Sequence, residues 1–127
     1  MNIKEVYKRY LESEESEIEV NSWEIDIESF RDIRIPEGTL IILVGKDGRK
    51  RQADLGILTY LFNKCKDYEF VRDFLNMELS LEDIYKKYKV LNEVERLAYC
   101  RDLNDLDEDV KAVVNNIKDK VLLRVKE

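Results

Sequence analysis

The chain of 127 residues contains no histidine. Without an imidazole, Ser-His and Cys-His nucleophilic systems, His-ligated zinc or iron, and the ordinary acid/base residue of neutral pH all fall away. Glycine is scarce, at four residues. No G-x-G-x-x-G occurs, and Gly45-Lys46 lacks the upstream glycine that a phosphate-cradling P-loop needs. Long apolar runs are missing too. The longest, Leu40 to Val44, is five residues, whereas a membrane-spanning helix needs about 20. The opening Met1-Asn2-Ile3-Lys4-Glu5 is charged and amphipathic, so neither a secretory signal nor a membrane anchor is expected. Cysteine is limited to Cys65 and Cys100, each inside an apolar helical pattern. Secreted domains of this size tend to be cysteine-dense. Two buried free thiols in a reducing, cytoplasmic setting are therefore expected, with a disulfide between them left open.

What the chain does have is 44% hydrophobic residues, 39% charged residues and a formal net charge of −6. That balance lies far from the compositions that stay disordered. The length suits one domain over 1–127, burying roughly two-thirds of its unfolded surface. An acidic total opposes wholesale attraction to nucleic acid. The charge is uneven: residues 1–35 hold twice as many acids as bases and carry nearly all of the net charge.

Ile3, Val6, Tyr7, Tyr10 and Leu11 recur at helical spacing. The period then switches to two. Ile18 and Val20, followed after Asn21-Ser22 by Trp23, Ile25 and Ile27, alternate with acids, which predicts two strands joined by a tight turn or one bulged strand. Thr39 to Val44 is continuously apolar and predicts a central strand covered on both sides. Gly45-Lys46-Asp47-Gly48 supplies hairpin-turn chemistry, and Arg49 to Ala53 reads as a polar return strand at a sheet edge. From Asp54 onward the spacing is helical. Asp54 caps a stripe of Leu55, Leu58, Leu61, Phe62 and Cys65; a second comprises Phe70, Val71, Phe74 and Leu75. Ser80 opens a capping box before Leu81, Ile84, Tyr85 and Tyr88, Asn92 precedes Val94, Leu97 and Ala98, and a last stripe runs from Val110 to Val121. The predicted fold is α+β. Residues 1–53 give an N-terminal helix and a small, mostly antiparallel sheet with hairpins around 17–28 and 39–53; residues 54–127 give a four-helix C-terminal part.

Two charged surfaces are candidates for function. If the apolar residues of 18–27 face inward, then Glu17, Glu19, Glu24, Asp26 and Glu28 face outward as a docking face for a basic protein partner. The alternative is a solvated face that keeps an edge from aggregating. The second surface is Lys46, Arg49, Lys50 and Arg51, a cationic hairpin able to contact phosphates. No aromatic is interleaved there to strengthen nucleic-acid binding, and a soluble edge strand explains the run equally simply.

Other patterns fit poorly. Ser80–Tyr88, Lys89-Val90-Leu91 and Asn92–Arg101 have helix-turn-helix spacing, with Lys86, Lys87 and Lys89 as phosphate contacts. Yet Tyr85 fills the place of a small residue, Lys89 replaces the turn glycine, and Glu93 and Glu95 would meet phosphates. The acidic run Asp102–Asp109 fails the calcium-loop pattern, since from Asp105 the sixth position is Val110 and the twelfth Asn116. No metal or other cofactor is expected. Glu37, Asp47 and Lys50 form the nearest approach to an enzyme, a divalent-metal nuclease, but Asp47 lies in the turn itself. The expected function is therefore a non-enzymatic, acidic interaction or regulatory protein binding a protein partner through charged surfaces, such as an accessory protein or a viral antagonist. The alternative is nucleic-acid binding through the hairpin 46–51 and a degenerate helix-turn-helix at 80–101.

Overall fold

A computed structural model of the chain describes residues 1–14, 18–88 and 100–103. Helix α1, Ile3–Glu12, starts where the Asn2 side chain accepts the Lys4 N–H at 2.8 Å, and it buries Ile3 and Val6. Four strands follow in the sheet order β1-β2-β3-β4: β1 Glu19–Asn21, β2 Leu40–Val44, β3 Lys50–Asp54 and β4 Arg101–Asp102. β1 runs parallel to β2, while β2 with β3 and β3 with β4 are antiparallel. Among the described residues, three helices lie between β3 and β4 in sequence: α2 Leu55–Asn63, α3 Tyr68–Asn76 and α4 Leu81–Tyr88.

The sheet is mixed, and the hairpin expected around 17–28 is not formed by the described residues 18–28. Within 18–30 only Glu19–Asn21 is strand, followed by 3-10 turns at Ser22–Glu24 and Ile27–Phe30. The alternating residue types mislead because Asp26 folds back on its own chain. Its side chain accepts the Glu28 N–H at 3.0 Å and starts the second turn. Such local side-chain acceptors compete with strand ladders. β1 instead finds a parallel partner in β2, and residues 22–39 supply the long connection that a parallel pair requires. The consequence for side chains is an inversion: Ser22 is buried, whereas Trp23 is 48% exposed.

The polar return strand is also not an edge. β3 sits between β2 and β4, and its Arg51 and Ala53 are buried. Register explains the arrangement. Val20, Leu43, Arg51 and Asp102 form one row across the sheet, on the face packed with the core. The Arg101–Asp102 segment, expected at a helix end, serves as β4 because it covers the outer side of β3 and brings a carboxylate to Arg51. The expected four-helix C-terminal part is corrected accordingly. Residues 55–88 form three helices, 101–102 return to the sheet, and the stripes at 92–98 and 110–121 lie outside the described residues.

Helix α2 is the hub, buried on nearly every side, and Asp54 caps it by accepting from Gly56 and Ile57 at 2.9 and 3.3 Å. Its Gly56 passes so close to the Pro36 turn that a Cβ would stand 2.3 Å from the Pro36 carbonyl oxygen. Ser80 caps α4 by accepting the Asp83 N–H at 3.2 Å. Among the described residues no helix is long and apolar enough to cross a membrane.

Candidate functional site

Four of the five acids expected to form a docking face are tied into local structure. Glu19 accepts from Lys50 Nζ at 2.6 Å across the sheet, Glu28 pairs with Arg31 at 2.9 Å, and Asp26 caps its turn. Glu24 accepts from the Asn21 side chain at 3.3 Å. Glu17 lies outside the described residues. Exposed pairs of this kind contribute little stability, but each one cancels charge that a partner would read.

The basic hairpin separates into three different roles. Arg51 is 1% exposed. Its Nε–H donates to Asp102 Oδ1 at 2.6 Å, and its Nη atoms donate to the Phe74 carbonyl at 2.8 Å and the Leu79 carbonyl at 2.5 Å. The guanidinium also lies over the Phe74 ring, 5.1 Å from its centroid. Asp102 Oδ2 accepts the Leu81 N–H at 2.9 Å, so one ion pair joins β3, β4, the end of α3 and the start of α4. A planar fork suits this task, and a lysine would not replace it. Arg51 therefore presents no donor to a phosphate outside the molecule.

Arg49 fastens the hairpin turn to the end of α3. It donates to Asp47 at 2.6 Å and to the Met77 carbonyl at 2.5 Å. The Arg49 backbone N–H, at 3.0 Å, together with its guanidinium holds the Asp47 carboxyl below the usual carboxylate range. Met77 itself closes α3 in a left-handed conformation, φ 63°. Lys50 belongs to the pair with Glu19. Lys46 alone in the run points out of the turn with no hydrogen bond or ion pair among the described residues.

The lysines of α4 are occupied as well. Lys86 pairs with Glu82 at 3.0 Å, and Lys87 donates to Asp73 at 2.8 Å beside the Tyr88 hydroxyl, which donates to the same oxygen. The Asp73 bond holds the Lys87 pKa above its ordinary value. Lys89 and the rest of the expected helix-turn-helix lie outside the described residues. The nuclease trio is not assembled, because Asp47 is held by Arg49 and Lys50 by Glu19. Among the described residues no cluster of three or more Cys, Asp or Glu side chains is placed to hold a metal ion. Cys65 and Cys100 are not joined by a disulfide, and burial pushes the Cys100 thiol up to about 12.

One surface feature gathers residues that the sequence keeps far apart. A cleft of about 400 Å³ opens between the first 3-10 turn, the β2–β3 turn and α3. Its apolar side chains are Ile25, Ile27, Leu75 and Met77, and the exposed indole of Trp23 stands at its wall. Three cations border it, Lys46, Arg49 and Arg72, against two acids, Asp47 and Glu78. The Asp47 charge is met by Arg49, whereas Lys46 has no ion pair among the described residues and Arg72 forms none there, its charge acting on the adjacent Asp73 that Lys87 holds. A patch with cations in excess thus stands on a chain of net charge −6. The aromatic residue missing from the basic hairpin in sequence is supplied in space by Trp23. Arg72 and Trp23 were not singled out as a pair by sequence reasoning. Their only signal is an arginine on the polar side of the Phe70–Leu75 stripe and a tryptophan among strand-like residues. A second recess, about 720 Å³, lies between residues 32–37 and α2. It is braced by Asn63, whose amide donates to the Phe30 and Ile33 carbonyls at 2.8 and 3.0 Å.

Comparison of the chain with family models, curated proteins and solved structures found no match.

Proposed function

We propose that this chain is a non-enzymatic interaction protein that docks a protein partner at the Trp23 cleft, working inside the cell with both cysteines reduced. The observation that carries this reading is the exposure of the single tryptophan beside a concave, partly apolar surface. Leaving an indole half-exposed forgoes the stability that its burial would bring, and tryptophan is among the residue types that most often anchor interfaces. The acids at 19 to 28 then act as surroundings that bias approach, not as the anchor, since all four already have partners in this protein or cap its chain. An accessory protein or viral antagonist works in this way, by occupying a surface of another protein.

The direct test is affinity capture from native extract with the wild type and with Trp23→Ala. A stoichiometric protein retained by the first and lost by the second supports the reading. Equal retention by both removes the cleft from it. A second reading, binding of single-stranded nucleic acid, is favoured by one observation: an exposed ring beside Lys46 and Arg72 pairs a stacking surface with cations. Among the described residues the cleft offers it three cations against two acids, and the chain's net charge opposes approach of a polyanion. Retention of oligothymidylate with a steep salt dependence, lost in Lys46→Ala, would establish it.

A further inference from the structure

The cleft has a chemistry of its own, and it runs against that of the whole chain. Its rim carries three cations and two acids, and the one acid in direct contact with a rim cation, Asp47, is held by the Arg49 guanidinium and backbone at 2.6 and 3.0 Å. Arg49 is in turn fixed to the Met77 carbonyl, so it shapes the wall and has little freedom to swing toward a ligand. Lys46 on the turn has no hydrogen bond or ion pair among the described residues, and Arg72 on α3 is exposed and forms no ion pair there, its charge acting on the neighbouring Asp73 that Lys87 already holds. Between them the floor is aliphatic, from Ile25, Ile27, Leu75 and Met77, with the Trp23 ring at one side. A floor of this kind takes an apolar side chain, and a rim of this kind takes carboxylates on either side of it.

Resting on the docking reading, we infer that the partner presents an acidic segment: one leucine-like or aromatic side chain seated on the aliphatic floor against Trp23, with flanking Asp or Glu carboxylates reaching Lys46 and Arg72. The size is consistent, since about 400 Å³ holds one or two side chains and not a helix or a nucleotide chain. The sign is consistent as well. Rim cations outnumber rim acids here although the chain's net charge is −6, so an acidic segment gains by landing in the cleft, and its register is fixed by the two cations.

Trp23 is the single tryptophan, so its emission reports this cleft and nothing else. The first measurement compares quenching of that emission by iodide and by caesium in the intact protein. Iodide is expected to quench more strongly, and the order is expected to invert in the double variant Lys46→Glu/Arg72→Glu. Stronger quenching by caesium in the wild type would overturn the inference, because the cleft would then not be positive. The second measurement uses synthetic peptides with a central Leu or Phe flanked by Asp and Glu, beside the same peptides flanked by Lys and Arg or by Ser. Acid-flanked peptides are expected to shift the emission saturably. Lys46→Ala and Arg72→Ala should each weaken binding about two- to fivefold, as exposed charge pairs do. The double charge reversal should transfer the preference to the Lys/Arg-flanked set, an outcome that a merely unfolded variant does not produce. Equal response to all three sets, no response to any, or a saturable response to oligothymidylate with the acidic peptides silent would each overturn the inference. If a partner is captured from extract in a Trp23-dependent way while no acid-flanked peptide binds, the docking reading stands and only the acidic class falls.

Discussion

The two ends of the β2–β3 hairpin use the same residue types for opposite purposes. In the strand, Arg51 is buried with every neighbour answering it: the Asp102 carboxylate, two carbonyls and the Phe74 ring. At the turn, Lys46 stands in solvent, and across the cleft Arg72 does the same beside an exposed indole. A run that reads as one basic patch is thus divided by depth. A buried guanidinium must be fully satisfied, because leaving its partner unpaired in a low-dielectric interior is costly. An exposed cation needs no partner and stays available for one outside. Charge that builds the fold and charge that is free to recognise differ here by where they sit, not by what they are.

Breaking the buried side should give the largest effect. Arg51→Ala leaves Asp102 and the Phe74 and Leu79 carbonyls without their donor and should cost about 3–5 kcal/mol, read as a fall in the urea midpoint. Arg51→Lys should recover only part of it, since an ammonium cannot reproduce the fork. A variant as stable as wild type would show that the pair is not what closes the sheet.

Gly56→Ala comes next, at about 1–3 kcal/mol, because the added carbon meets the backbone of the Pro36 turn at 2.3 Å. The loss should appear in thermal melts with no change in the ability of Trp23 to report ligand. A neutral outcome would mean that the turn moves aside freely.

Asp54→Asn should cost about 1 kcal/mol, since one carboxylate oxygen accepts from Gly56 and Ile57 and the other from Gly38 at 2.8 Å, and an amide cannot accept on both sides. The variant also sharpens a pH effect. Burial raises the Asp54 pKa above the ordinary aspartate value, although the three N–H donors pull it back. The folded state therefore holds the proton more tightly than the unfolded state does. Its contribution is present in full below the unfolded pKa and is lost as pH rises through the folded one. The difference in stability between wild type and Asp54→Asn should accordingly shrink as pH rises out of the acid range. A difference that grows instead would show that the N–H donors outweigh burial.

The smallest effect on stability is expected at the open side. Trp23→Ala should change unfolding free energy by no more than about 0.5 kcal/mol, as surface substitutions usually do, while abolishing partner capture. A loss as large as that of Arg51→Ala would erase the contrast between the two regions and make the indole a packing residue.

How much of this was readable in advance depends on how local the cause was. Helix α1, the Asp54 and Ser80 caps, and the turn around Gly45–Gly48 follow from residues a few positions apart, and each lies where spacing and side-chain chemistry place it. The segment after Val20 did not, because alternation describes residue types and says nothing about whether Asp26 will bend the chain by accepting its own neighbour's N–H. The edge assignment of β3 failed for a longer-range reason. Arg51 reads as exposed until a carboxylate from fifty-one residues further along pairs with it. The cleft itself was not legible, since Trp23, Lys46 and Arg72 belong to three separate elements and nothing local in their surroundings says that they meet.

By itself, the sequence determined composition-level limits and local structure: no imidazole chemistry, no phosphate cradle of glycines, no long apolar run, and helices begun by capping side chains. Those depend on neighbours along the chain. Only the tertiary structure decided which of the many charges are spent inside and which remain outside, because burial and pairing are set by contacts between residues that the chain brings together from a distance. One arginine became a strut and another cation stayed free for that reason.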